Sequence, residues 1–311
     1  MAGRLLVILL VPLGVAALVF GLARALARRG WSGRARAARV RSVAGGFASV
    51  VGLLVGLAFV TTTDLTPASL VAATAPALVA TVMLLASTMV ELTWPKPAGQ
   101  VRVARIGARR PAAPRTLGRI LAGSLAASTS LLVAGGLTAT DDGRRVEVAW
   151  GNGSTSHGPW PGWYYGIPMG AALLVLLAVT LWSVRVVDTR PALGPGQSDV
   201  DVTARTLSKA RVLRTACLGA LGTTAPLAVV MGSGLNALAN NLRMNESPLA
   251  HQVPLDWRQD IGFGLIGVAL VCLFLVLVVL AWHGPAAVRV AEPGTGSATS
   301  GTAGPMPAAR P

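Results

Sequence analysis

The stretch Glu91-Leu-Thr-Trp-Pro-Lys-Pro-Ala-Gly-Gln-Val-Arg-Val-Ala104, continuing through Arg105, Arg109, Arg110 and Arg115 to Arg119, decides how the rest of the chain is read. It is basic, punctuated by proline and set between two long apolar runs. Such a segment does not lie in hydrocarbon, so it marks one face of a membrane and assigns a side to everything before and after it.

The runs on either side belong to a larger pattern. Windows without Asp, Glu, Lys or Arg occur at 5–23, 42–63, 65–90, 120–140, 148–184, 215–242 and 261–288. A helix needs about 20 apolar residues to cross some 30 Å of hydrocarbon, so seven spans are expected. The whole chain of 311 residues is 53% hydrophobic and 13% charged, with a mean hydropathy of +0.61, well below the roughly 25% charge of soluble domains. Lipid has no hydrogen-bond partner for an open strand edge, and no strand-like alternation is read here, so a barrel is rejected. The fold class expected is all-α: a polytopic membrane protein with one N-terminal span followed by three helical hairpins.

A net charge of +15 in a soluble chain would suggest nucleic acid. The distribution of that charge argues against it. Seven Lys and Arg follow the first span, seven lie in 93–119, six in 185–214 and two in 283–311, making 22 on one side against 5 on the other. This is the positive-inside asymmetry, which places the N-terminus outside and the C-terminus inside a bacterial inner membrane. The basic inner loops are suited to anionic headgroups as well as to a membrane or cytoplasmic protein partner. Met1–Phe20 has the look of a signal peptide, but the arginines after it resist translocation, so it is read as an uncleaved span. The domains expected are an N-terminal span at 1–22, a basic cytoplasmic connector at 23–42, a six-span membrane domain at 43–291 and a disordered cytoplasmic tail at 292–311, rich in Gly, Pro, Ser and Thr.

Small residues four apart recur along the predicted spans: Ala48, Gly52 and Gly56 in the second, Ala122, Ala126, Ser130 and Ala134 in the fourth, and Ala216, Ala220 and Thr224 in the sixth. Ridges of this kind let helices approach closely, so these helices are expected inside the bundle and the Leu/Val-rich seventh against lipid. Pro76 is expected to bend the third span. With Arg41, Arg119 and Arg214 in register, Ala44/Ala122/Cys217 and Leu54/Leu132/Leu227 align, which suggests a threefold hairpin repeat. In that register Ser128-Thr129 coincides with Thr223-Thr224 about 14 Å deep. Near the bilayer midplane this is where a transporter holds its substrate. Ser128, Thr129, Thr223, Thr224 and the ionisable Glu91 are therefore the candidate polar path, against a plainer reading in which the hydroxyls bond their own helices or join two of them.

Other signals are weaker. Gly262-Phe-Gly-Leu-Ile-Gly267 fits a dinucleotide pattern but has no strand before it. Phosphate-loop, zincin and serine-hydrolase motifs are missing. Cys217 and Cys272 fall in different spans, and His157 and His251 read as solvated loop residues, so no metal, cofactor or catalytic residue is expected. Glu91 is placed at an interface beside Trp94 and Lys96. Trp160, Trp163, Tyr164 and Tyr165 read as an interfacial aromatic belt, with Trp94, Trp182 and Trp282 on the inner side.

Glu91-Leu-Thr-Trp-Pro95 and Pro161-Gly-Trp-Tyr-Tyr-Gly-Ile-Pro168, with the arginine-rich inner connectors, resemble uncharacterised actinobacterial multi-span integral membrane proteins over most of the chain. The resemblance implies no activity and no site residues. The function expected is that of a non-enzymatic membrane interaction component, the alternative being a small-solute permease or exporter with a polar site between spans four and six.

Overall fold

The computed structural model describes residues 67–92, 114–150, 153–190, 198–244 and 256–281. The first two predicted spans, with Gly52, and the tail lie outside the described residues. What is described is mostly helical: α1 (Pro67–Leu92), α2 (Arg115–Thr138), the strands β1 (Val146–Trp150) and β2 (Gly153–His157), then α3 (Trp163–Thr189), α4 (Ser198–Met244) and α5 (Asp256–Ala281). Five of these helices are long and apolar enough to cross a membrane. They match the third to seventh predicted spans.

Their ends follow from local chemistry. Pro114 precedes the first turn of α2, and the Gly118 N–H donates to its carbonyl at 3.2 Å. Pro161 and Gly162 lead into α3, where Gly166 N–H donates to Gly162 O at 2.7 Å. At the other end the Arg190 N–H closes the last turn on Val186 O at 3.1 Å. Pro191 follows and pushes Arg190 into extended backbone.

The largest departure from expectation is α4. It runs for 47 residues, about 70 Å at 1.5 Å per residue, more than twice the hydrocarbon thickness. Part of the expected polar connector 185–214 and part of the expected loop after residue 233 are thus helix. All four other helices pack on this one, with α1 and α2 also touching α3. Along the buried side of α4, Ala216, Ala220, Thr224 and Ala228 are each fully buried, as the ridge of small residues in the sixth span predicts.

Close approach explains the choice of residues. A side chain at Gly219 would meet the Ala80 Cβ at 2.4 Å, and one at Gly222 would meet Pro76 at 3.2 Å, so α1 crosses α4 over two glycines. A side chain at Gly232 would meet the Gly262 carbonyl of α5 at 2.6 Å. Gly262 therefore serves helix packing, while Gly264 and Gly267 of the same pattern face open space. Helix α5 exposes Leu270, Val271, Leu273, Phe274 and Leu277, the lipid-facing surface expected of the seventh span.

Two expectations are corrected. Ala122, Ala126, Ser130 and Ala134 of α2 all point outward, and α2 instead buries Leu117, Leu121, Ser124, Ser128, Leu132 and Gly135. The second correction is the hairpin, which departs from an all-α chain: β1 and β2 pair antiparallel from Val146↔His157 to Trp150↔Gly153. Val146 and Val148 turn inward while Glu147 and Ala149 turn out. That alternation, followed by Gly151-Asn152 between the strands, is a hairpin signal.

Candidate functional site

The hydroxyls of the expected path are placed by α2 and α4. Ser128 Oγ and Thr224 Oγ1 lie 2.6 Å apart, both wholly buried, and Thr224 also donates to Ala220 O at 2.8 Å. The repeat register sets Ser128 beside Thr223 and Thr129 beside Thr224, whereas the contact formed is between Ser128 and Thr224. The other two do not join them: Thr223 donates to Gly219 O of its own helix at 2.9 Å, and the exposed Thr129 donates to Leu125 O at 2.8 Å. The seam also holds Cys217, whose Sγ–H donates to Leu117 O at 3.3 Å. Hydroxyls so engaged are satisfied by protein atoms, and the contact joins two helices.

Glu91 belongs elsewhere. Its Oε1 accepts from Ser208 Oγ at 2.7 Å, and Ser208 lies 16 residues before Thr224 on α4, about 24 Å along the helix. The Glu91 carboxylate sits inside an ionic cluster at the last turn of α1. Its Oε2 pairs with Arg190 Nη1 at 3.0 Å, Arg190 Nη2 lies 3.6 Å from Asp201, Arg205 Nε pairs with Asp201 at 2.7 Å, and Lys209 Nζ pairs with Asp188 at 2.6 Å. Three carboxylates meet three cations. The side chains of Arg190, Arg205, Asp201 and Lys209 are 2–6% exposed, so each charge depends on the others.

Arg205 does a second job. Its Nη1 donates to Asp188 O at 3.0 Å and its Nη2 to Arg190 O at 2.8 Å. These carbonyls end α3 and have no partner within their own helix. A cation there also suits the negative end of the helix dipole. Burial lowers the pKa of the Arg190 guanidinium, opposed by the charges of Glu91 and Asp201.

Asp188, Arg190, Asp201, Arg205, Ser208 and Lys209 all fall in the basic inner loop 185–214 of the sequence reading, which singles none of them out. One signal points to them: Asp201, Arg205 and Lys209 stand four apart, a single stripe if the segment is helical.

At the opposite end, Trp160 is 2% exposed, which corrects its assignment to an aromatic belt. Its indole N–H donates to Gly135 O and Thr138 Oγ1, both at 3.1 Å. Trp163, Tyr164 and, on the Glu91 side, Trp182 are exposed as a belt requires, and the Arg144 guanidinium lies 4.0 Å over the Tyr164 ring. Gly143, at φ 66°, closes the preceding turn by donating to Thr140 O at 2.8 Å.

Among the described residues no group of three or more His, Cys, Asp or Glu side chains is placed to hold a metal. His157 is half-buried on β2, and His251, Trp94 and Trp282 lie outside the described residues. No protein-family model, curated protein or solved structure matches the chain. The chain is thus a protein with several long apolar helices, consistent with multiple membrane spans.

Proposed function

We propose that this protein is a non-enzymatic component of the bacterial inner membrane that works by binding other molecules at its basic face. The proposal includes seven spans, an outside N-terminus, an inside C-terminus, the six-span domain of 43–291 and the cytoplasmic tail of 292–311. It assigns the arginine-rich inner connectors to anionic headgroups and a protein partner.

The observation supporting this reading over a permease is the closure of Ser128 on Thr224 at 2.6 Å. A solute path needs polar groups turned toward a passage, whereas these hydroxyls spend their hydrogen bonds on each other and on helix carbonyls. Flux assays on proteoliposomes test it. Neither the parent nor a Thr223→Val, Thr224→Val variant should move small solutes, and flux in the parent that the double variant abolishes would establish the permease instead. The topology has its own check: a fluorescent protein that folds only in cytoplasm should glow when fused after Pro311.

A further inference from the structure

The buried stripe of α4 changes character along its length. Between residues 201 and 209 every buried side chain is charged, namely Asp201, Arg205 and Lys209. From Ala210 to Met231 no buried side chain is charged, and the stripe continues through Val212, Ala216, Ala220, Thr224 and Ala228. One helix is thus held by two kinds of buried contact that meet at Ala210, with the half-buried Arg211, which faces the Glu91 charge, and Arg214, which donates to Leu280 O of α5, just beyond the border.

The two kinds differ in what release costs. A buried ion pair gains in attraction about what its members lose in hydration, so its separation into water, with both charges rehydrated, is close to balanced. The carbonyls of Asp188 and Arg190, freed of Arg205, would likewise be taken up by water. The small-residue contacts beyond Ala210 have no such compensation, because parting them leaves packing lost with no hydration gained.

We propose that the Glu91 end of the bundle is an ionic clasp, in which the first turns of α4, residues 201–209, let go of α1 and α3 as a unit while the helix beyond Ala210 stays packed. The closed form is the one described: Glu91 bridges Arg190 and Ser208, and so ties α1 to both α3 and α4. Asp201, Arg205 and Lys209 fasten α4 to the end of α3. In the open form the same charges face water. This exposes Arg190, Arg205 and Lys209 together at the mouth of the bundle, and it holds whether the chain binds a partner or passes a solute.

Spin-label distances on the full-length protein in lipid nanodiscs test the clasp, with Cys217 and Cys272 replaced by Ala. One pair of labels goes on the exposed sites Arg185 of α3 and Leu207 of α4, and a control pair on the exposed Leu174 and Val229 of the same helices. Arg205→Gln and Arg190→Gln should each add a population in the first pair longer by about one helix diameter, ~10 Å. The control pair should keep the parent's distribution, which also shows that the variants are assembled. Unchanged distances in the first pair for both variants would overturn the proposal. So would equal lengthening in the control pair, since that reports loosening of the whole bundle.

Discussion

At the Trp160 end of the bundle, Gly135, Gly162, Gly232 and Gly262 let backbone lie against backbone, and a buried indole is tied to a helix carbonyl. At the Glu91 end α1, α3 and α4 are joined by six charged side chains and one serine. The first kind of joint has no slack, because a glycine contact cannot give without moving main chain. The second can exchange its partners for water. A bundle built in this way should tolerate injury unequally at its two ends.

The largest effect is expected at Gly135. A methyl there would lie 2.4 Å from the Pro161 carbonyl oxygen, and overpacking against backbone costs about 1–3 kcal/mol. Gly135→Ala should fall at the upper end of that range in detergent melts. Gly118→Ala is the control, since nothing lies within 4 Å of that position, and it should be neutral or stabilising by up to ~1 kcal/mol through helix propensity.

Trp160→Phe keeps most of the ring and removes the indole donor, leaving the buried Gly135 carbonyl short of a partner. A loss of about 1–2 kcal/mol is expected. Arg205→Gln sharpens the contrast most. A sealed ion pair broken on one side costs ~3–5 kcal/mol, but a clasp that admits water should limit the loss to about 1 kcal/mol, the upper end for pairs in contact with water. A melt of Arg205→Gln more depressed than that of Gly135→Ala would break the comparison between the two ends.

Ser128→Ala should cost only about 0.6 kcal/mol, the usual worth of one hydrogen bond between membrane helices. Smallest of all is the acid response of the turn at Thr140–Gly143. Asp142 is held below the ordinary carboxylate range by the Thr140 hydroxyl and then by the Arg144 N–H. A depressed pKa contributes stability above the unfolded value, and it is lost as pH falls through the folded one. The turn should therefore stay closed down through the ordinary carboxylate range and open only below it, as carboxyl carbon NMR shifts would show.

Sequence alone determined where the described long helices lie, since water-avoiding windows of about 20 residues leave helix as the way to satisfy the backbone in lipid. It also set Ser128-Thr129 against Thr223-Thr224 by counting from the two arginines, since helical rise is constant, but not which hydroxyls meet: the register pairs Ser128 with Thr223, and the contact is to Thr224. What it left open depends on which face of a helix meets which neighbour. The ridge on α2 has the spacing of an interface and points outward, since spacing names a stripe but not the groove it enters. Trp160 and Trp163 look alike in sequence and both rings lie against the end of α2, yet only Trp160 is buried there. The charges of 185–214 read as a polar inner connector because charged residues are kept out of hydrocarbon. Only the continuation of α4 to Ser198, which no apolar window announces, aligns Asp201, Arg205 and Lys209 beneath the end of α3 and makes a buried cluster of them.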